Sequence, residues 1–355
     1  MTTNHLFLND RLYRVTLFTA GAVVITAGIL FAKTFVIILL LAFFVSIIVA
    51  HPVFWLDKKG VPHFISVILV LLGLLIFLFG VGGIIGGSFS QFTSDVGKYE
   101  SRLIEILGSI KQEFEHLGFK VDTKGITDLL APGKIIALVT KLIGQFGSIM
   151  SNATLIFFII LFVLLEIQSI EVKWKVFGTA ADKRTRKNLS LIERSVRHYL
   201  VFKTITSFAT GVLVFIVLII IGVDYAVLWG MLAFLLNYIP NIGSIIAAIP
   251  ALIFAWIQLG FLPMIWVGIG YISINAFIGY FVEPKVMGRG MGLSTLVVFL
   301  SLIIWGYMLG VVGMFLSVPL TMTLKIILEF NDSTRSLAAI LGTEEDVKKL
   351  IKKIN

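Results

Sequence analysis

The sequence predicts an all-α, polytopic membrane protein with about six full spans plus two re-entrant helical hairpins arranged as an inverted repeat. Three observations lead there. Hydrophobic residues fill 58% of 355 positions and charged residues only 14%, whereas a soluble domain carries about a quarter charged residues. Several apolar runs exceed the roughly 18 residues needed to cross the hydrocarbon core of a bilayer. The basic residues behind the net charge of +9 sit in short connectors between those runs, which is the positive-inside pattern of a membrane protein rather than a nucleic-acid-binding patch. The expected surroundings are therefore a lipid bilayer and no nucleic acid. Cysteine is absent, which excludes disulfides, thiolate chemistry and Cys-ligated metals.

The first span is predicted over residues 15–32. Arg11 and Arg14 precede it as they would a signal peptide, but the run is long for one and a second apolar run begins at Phe35, so it is read as retained. Span 2 covers 35–55, with His51-Pro52 near its end, and the turn Asp57-Lys58-Lys59-Gly60 leads into span 3 at 62–87. From 88 to 148 charge returns, with seven Lys/Arg and seven Asp/Glu between Asp95 and Lys141. Gly118, Gly125 and Pro132-Gly133 divide that stretch into expected short amphipathic helices. Span 4 occupies 149–168, and a linker rich in Lys and Arg runs to residue 197. As the most basic loop, that linker is placed in the cytoplasm. Counting back three crossings puts Lys58-Lys59 in the cytoplasm and 88–148 outside. Span 5 comes next at 200–222.

Two later apolar stretches have unusual lengths. Residues 225–259 are uncharged, more than one span needs and short for two, and they are interrupted at Asn237-Tyr238-Ile239-Pro240-Asn241-Ile242-Gly243. Residues 293–324 are similar and break around Trp305-Gly306-Tyr307-Met308-Leu309-Gly310. Each reads as a hairpin of two half-length helices, with one full span, 261–282, between them. With the first hairpin entering from outside, Lys285 and Arg289 land in the cytoplasm, and so does the tail 329–355 with Lys348, Lys349, Lys352 and Lys353. Both termini are then cytoplasmic. Residues 198–328 become two units, each one span plus one hairpin, which cross once and so are inverted, an arrangement that recurs in secondary transporters. Direct sequence similarity between them is faint, as in Leu228-Trp229-Gly230 against Ile304-Trp305-Gly306. In the tail, Thr343 and Asp346 have capping-box spacing before a short basic helix. That helix either rests on the anionic leaflet or is a solvated cap.

The chemistry-bearing residues are few. Asn237, Pro240, Asn241 and Gly243 break a helix, and Gly310 and Gly313 do the same in the second hairpin. Such breaks free backbone groups, and at membrane depth these are tolerated only where protein or a watery cavity satisfies them. That makes the breaks candidate binding or gating elements for a small polar solute; the alternative is a plain interfacial loop. Ser244, Ser273, Thr295, Ser301 and Ser317 are expected to bond the preceding turn, whereas the mid-span carboxamide of Asn275 needs a partner helix or a ligand. A charge in mid-span costs about 2.5–3.5 kcal/mol on insertion scales. His51, Glu166, Asp224 and Glu283 lie at span ends. Glu283, just before Pro284, is the first choice for ion coupling, with Asp224 and Glu166 behind it. Gly82-x-x-x-Gly86, Gly83-x-x-x-Gly87 and Gly306-x-x-x-Gly310 allow close helix packing, within the chain or in a homo-oligomer. Enzyme readings fail on inventory. All five histidines fall in connectors or at span ends, no His-Glu-x-x-His is present, and Gly133-Lys134 is followed by Ile135 rather than Ser or Thr. No metal or cofactor is expected.

The segments Asn237 to Ser244, Ile249-Pro250, Glu283-Pro284-Lys285-Val286-Met287-Gly288 and Gly313-Met314-Phe315-Leu316-Ser317-Val318-Pro319-Leu320, taken in order, resemble the autoinducer-2 exporter family of bacterial permeases. The resemblance covers about residues 10–328 and is most specific after 225. Many members carry a proline after the Gly-Leu that here is Gly292-Leu293; Ser294-Thr295 at this point looks like the branch containing the quorum-signal exporter. The resemblance implies efflux, across the bacterial inner membrane, of a small signalling molecule derived from dihydroxypentanedione. It also admits a sodium or lithium/proton antiporter, as some relatives are described. The absence of a carboxylate deep in any predicted span disfavours cation exchange, and a site of Asn, Ser, Thr and open backbone suits a neutral, hydroxyl-rich solute. A non-transporting scaffold using the glycine faces is the third reading; it requires a dry core.

Overall fold

The structure, a computed structural model, describes residues 4–116, 151–177, 183–240, 242–283, 292–330 and 334–344, with isolated positions at 137, 140, 141, 144, 347 and 348. The described elements are all helical. In chain order they are α1 Asn4–Phe31, α2 Lys33–Lys58, α3 His63–His116, α4 Ala153–Phe177, α5 Lys183–Ile221, α6 Ala226–Leu236, α7 Gly243–Leu259, α8 Phe261–Ala276, a π turn Phe277–Val282 that prolongs α8, α9 Thr295–Leu309, α10 Val311–Glu329 and α11 Arg335–Leu341.

Among the described residues, five segments are long and apolar enough to cross a membrane: Lys33–Lys58, His63–Asp95, Leu189–Ile221, Phe261–Val282 and Val311–Glu329. Large apolar side chains point outward from them, with Ile76, Ile220 and Tyr280 73%, 77% and 80% exposed. A soluble monomer does not leave so much contiguous apolar surface open; a lipid-facing wall does. The first and fourth predicted spans appear as shorter apolar stretches, Thr19–Phe31 and Ala153–Ile167.

Among the described residues, three apolar clusters hold the bundle. One joins α2, α3 and α4 through Val53, Leu71 and Leu164. A second joins α2 and α5 to the α9–α10 pair through Phe44, Val196 and Leu316. The largest gathers α5, α6, α7 and α8 with part of α3 around Trp229, Phe254 and Phe92. His63 fastens the first cluster's edge, its ring nitrogens meeting Asp57 at 2.8 Å and the Leu164 carbonyl at 3.0 Å.

Two predicted boundaries fall inside helices. Span 3 does not stop at 87: α3 runs unbroken to His116. Phe89, Phe92, Tyr99 and Leu103 recur at helical spacing and pack on the α6–α7 pair, so apolar periodicity persists while charges occupy the other faces. The predicted divisions at Gly118, Gly125 and Pro132-Gly133 lie outside the described residues. Likewise, the second half of the basic linker is already the start of α5, which reaches from Lys183 through span 5.

A candidate cavity beside a helix break

Each of the two odd-length apolar stretches is a pair of short helices folded back on itself. In the first, α6 ends at Leu236, and the connection 237–242 closes with Ile239 N–H donating to the Leu236 carbonyl and Ile242 N–H to that of Pro240. Glycine is required at 243, because a Cβ there would lie 1.7 Å from the Leu236 oxygen. At the open end, Gln258 accepts from the Asp224 N–H at 2.8 Å and donates to the Gly222 carbonyl at 3.1 Å. In the second pair, Gly310 alone turns the chain, at φ 70 and ψ −150, a conformation that favours glycine. Trp305 donates its indole N–H to the Thr321 hydroxyl at 3.0 Å, a contact a straight helix could not make. A Cβ on Gly313 would meet the Trp305 oxygen at 2.0 Å.

Beside the first break lies a cavity of about 750 Å³. Asn237, Pro240 and Ser244 line it from the break, Tyr271 and Asn275 from α8, Tyr199 and Lys203 from α5, Glu283 from just beyond the π turn, and Leu293 and Thr295 from the entry to α9. A π turn inserts an extra residue and swings the side chains after it by about 100° relative to an α-helical continuation. Here the first residue after the turn is Glu283.

Four predicted residues therefore meet in one cavity: Asn237, Pro240, Asn275 and Glu283. Gly243, Gly310 and Gly313 shape the folded-back pairs without lining it, and Asn241 lies outside the described residues. Glu166 is exposed on α4, away from the lining. Asp224 belongs to a second, smaller cavity of about 570 Å³ with Asp95, Lys98, Tyr99 and Tyr225. The mid-span carboxamide has found a local partner, since Asn275 donates to the Tyr271 carbonyl one turn back at 2.8 Å. Asn237 donates to the Ser207 hydroxyl at 3.1 Å, with both side chains buried.

Among the lining residues that escape sequence reasoning, three are polar and buried. Lys203 on α5 is an ion-pair partner of Glu283 at 3.0 Å, with side-chain exposures of 8% and 30%. A signal exists, because Lys203 is the sole charge between Tyr199 and Ile221; its closeness to the basic linker conceals it. Tyr199 and Tyr271 are nearly fully buried, and among the described residues their hydroxyls have no hydrogen-bond partner. Buried polar groups are nearly always satisfied, so each orphan needs an explanation; both oxygens are sealed from water, and a solute in the cavity reaches them only if the wall shifts.

An all-helical, multi-pass membrane protein with apolar outer walls and a cavity that gathers several polar side chains belongs, as a class, with the membrane transporters. The model of the AI-2E family transporter matches residues 20–331, and the chain belongs to that family. It is 39% identical over 346 residues to a Haemophilus influenzae protein provisionally named as a transport protein, covering 96% of this chain and 99% of that one. It is 35% identical over 332 residues to the AI-2 transport protein TqsA of Escherichia coli, covering 93% and 95%. A third relative, YhhT of E. coli, also provisionally named as a transport protein, is 35% identical over 323 residues, covering 91% and 92%.

Proposed function

We propose that this protein is a permease that exports a small, uncharged, oxygen-rich solute resembling autoinducer-2 across the bacterial inner membrane. The observation that carries the reading is the cavity at the first helix break, whose largely apolar wall brings together the side chains of Asn237, Asn275, Ser244 and Thr295. A scaffold has no use for such a cavity. The name of the relative TqsA supports the choice of solute.

In this reading the folded-back pairs are re-entrant hairpins. At 1.5 Å per residue α6, α7 and α9 measure about 16, 26 and 22 Å, all short of a roughly 30 Å hydrocarbon core. Only α10 approaches span length. The unit α5–α6–α7 and the unit α8–α9–α10 form the inverted repeat, with both termini in the cytoplasm. A shared detail favours the repeat: Gln258 of α7 donates to the Gly222 carbonyl and Lys325 of α10 to the Gly292 carbonyl. In each unit the second hairpin helix pins the chain just before the first.

The antiporter reading retains one supporting observation, because Glu283 faces the cavity. Lys203 already supplies its counter-charge, which leaves little for a transported cation to do. The deciding experiment is uptake of labelled autoinducer-2 into inverted vesicles and proteoliposomes, with and without imposed sodium and proton gradients. Uptake above empty liposomes is expected. Absence of uptake, together with sodium-triggered proton movement, would overturn the export reading in favour of the antiporter.

A further inference from the structure

Among the described lining residues of the main cavity, Lys203 and Glu283 are the only charged ones. They come from positions 80 apart in sequence and meet at 3.0 Å. The remaining polar groups of the wall are neutral: the amides of Asn237 and Asn275, the hydroxyls of Ser244 and Thr295, and the phenols of Tyr199, Tyr271 and Tyr280. Lys203 is buried in an otherwise largely apolar wall, where an ammonium without a partner is costly. Glu283 removes that cost, and the described lining as a whole carries no net charge.

The consequence is a rule about what can enter. An uncharged, hydroxyl-bearing solute bonds to the amides and hydroxyls of the wall and leaves the pair undisturbed. An anion gains Lys203 only by pushing Glu283 aside, which sets two negative charges close together in a poorly solvated space; a cation meets the mirror problem at Glu283. Like-charge juxtaposition of this kind is how sites reject wrong ligands. We propose that Lys203 and Glu283 form a specificity-determining pair that reserves the cavity for uncharged oxygen-rich solutes, and that removing either partner admits small solutes bearing the lost partner's charge. The proposal rests on reading the cavity as the solute site.

The test uses the full-length protein in detergent as wild type, Lys203→Met, Glu283→Gln and the double variant. Thermal unfolding is monitored with three hydroxyl-bearing probes of similar size: glycerol, lactate and ethanolamine. At about ten times its dissociation constant, lactate is expected to raise the melting temperature of Glu283→Gln by roughly 1–3 °C. Wild type and the double variant should not respond to it. Ethanolamine should stabilise Lys203→Met alone. A merely structural tie between α5 and the end of α8 would lower the melting temperature of each single variant but would give no charge-matched response to either ion.

Responses identical across the four proteins, including none at all, would overturn the proposal. If Glu283→Gln does not fold, Lys203→Gln/Glu283→Lys keeps one cation at the more exposed of the two positions and carries the same expectation for lactate. Melting needs no transport, so the two readings fail separately. Charge-matched responses without autoinducer-2 flux would sink the permease reading alone. Flux without charge-matched responses would sink the pair's role alone.

Discussion

Tyr99 on α3 donates a 2.6 Å hydrogen bond to Asp224, 125 positions further along the chain. The tie is crossed, because Tyr225 returns a bond of the same length to Asp95, one turn before Tyr99. The rings involved stack into the aromatic cluster of Phe92, Trp229 and Phe254, with Tyr99 and Phe254 centroids 4.3 Å apart. Tyr225 holds φ 57, the left-handed conformation that among the described non-glycine residues occurs only there. Such strain costs on the order of 1–3 kcal/mol and persists only where neighbours enforce it. The far half of α3 is therefore strapped to the open end of the first helix pair by two crossed bonds and the ring cluster. Loss of one charge-assisted bond, by Tyr99→Phe, is expected to cost about 1.5–3 kcal/mol. Amide hydrogen exchange in 88–116 should accelerate while exchange in α2 and α4 stays as it was; uniform acceleration, or none, would show that the strap is not a local element.

The same strap has a pH signature. Burial, and next the bond to Asp95, push the Tyr225 phenol up from its ordinary value to about 12. Burial and the bond to Asp224 push Tyr99 up as well. Both groups are more easily ionised in the unfolded chain, near pH 10. Their contribution to stability is thus whole below pH 10 and drains away as pH climbs from there toward about 12. Tyrosinate absorbance of wild type against Tyr225→Phe should show one titration missing from the variant in that upper window. A missing titration near pH 10 instead would mean that the phenol is free.

The helix breaks are legible in the sequence because proline, glycine and asparagine interrupt apolar runs that are otherwise without charge. Asn237 and Pro240 stand out on that ground, and both line the cavity. The continuation of α3 is hidden by a different rule: returning charge reads as the end of a span, although Phe89, Phe92, Tyr99 and Leu103 keep the helical period throughout. Lys203 and the two phenols are illegible for a third reason. Their significance lies in what they face across α5 and α8, and neither an ion pair spanning 80 positions nor an orphan hydroxyl leaves a local trace.

Glycines in this chain divide into closed and open sets, and substitution should separate them. Gly211 on α5 and Gly230 on α6 press together so closely that a Cβ on either would lie 2.9 Å from the other's carbonyl oxygen. Gly230→Ala is expected to force the helices apart at a cost of about 1–3 kcal/mol. Gly82, Gly83, Gly86 and Gly87 on α3 have nothing within 4 Å of an added Cβ. Alanine at Gly86 should be neutral or gain up to about 1 kcal/mol from helix propensity. Thermal unfolding in detergent reads both. A clear loss at Gly86, accompanied by a smaller particle on size exclusion, would instead show a second copy of the chain packed on that glycine face.

The two orphan phenols allow a test in which stability and transport move in opposite directions. In the empty protein, Tyr199 and Tyr271 bury hydroxyls that bond to none of the described groups, so each desolvated oxygen weighs against folding. Tyr271→Phe removes that oxygen and keeps the ring packed on its neighbours. The variant is expected to melt at the same temperature as wild type or slightly above it. A solute that uses the hydroxyl loses one hydrogen bond of about 1 kcal/mol, or roughly a fivefold rise in the concentration giving half-maximal flux. Combining Tyr199→Phe with Tyr271→Phe should multiply the two losses if the solute bonds both oxygens at once and acts on them independently. A double variant that melts lower, with flux unchanged, would assign the phenols to packing alone.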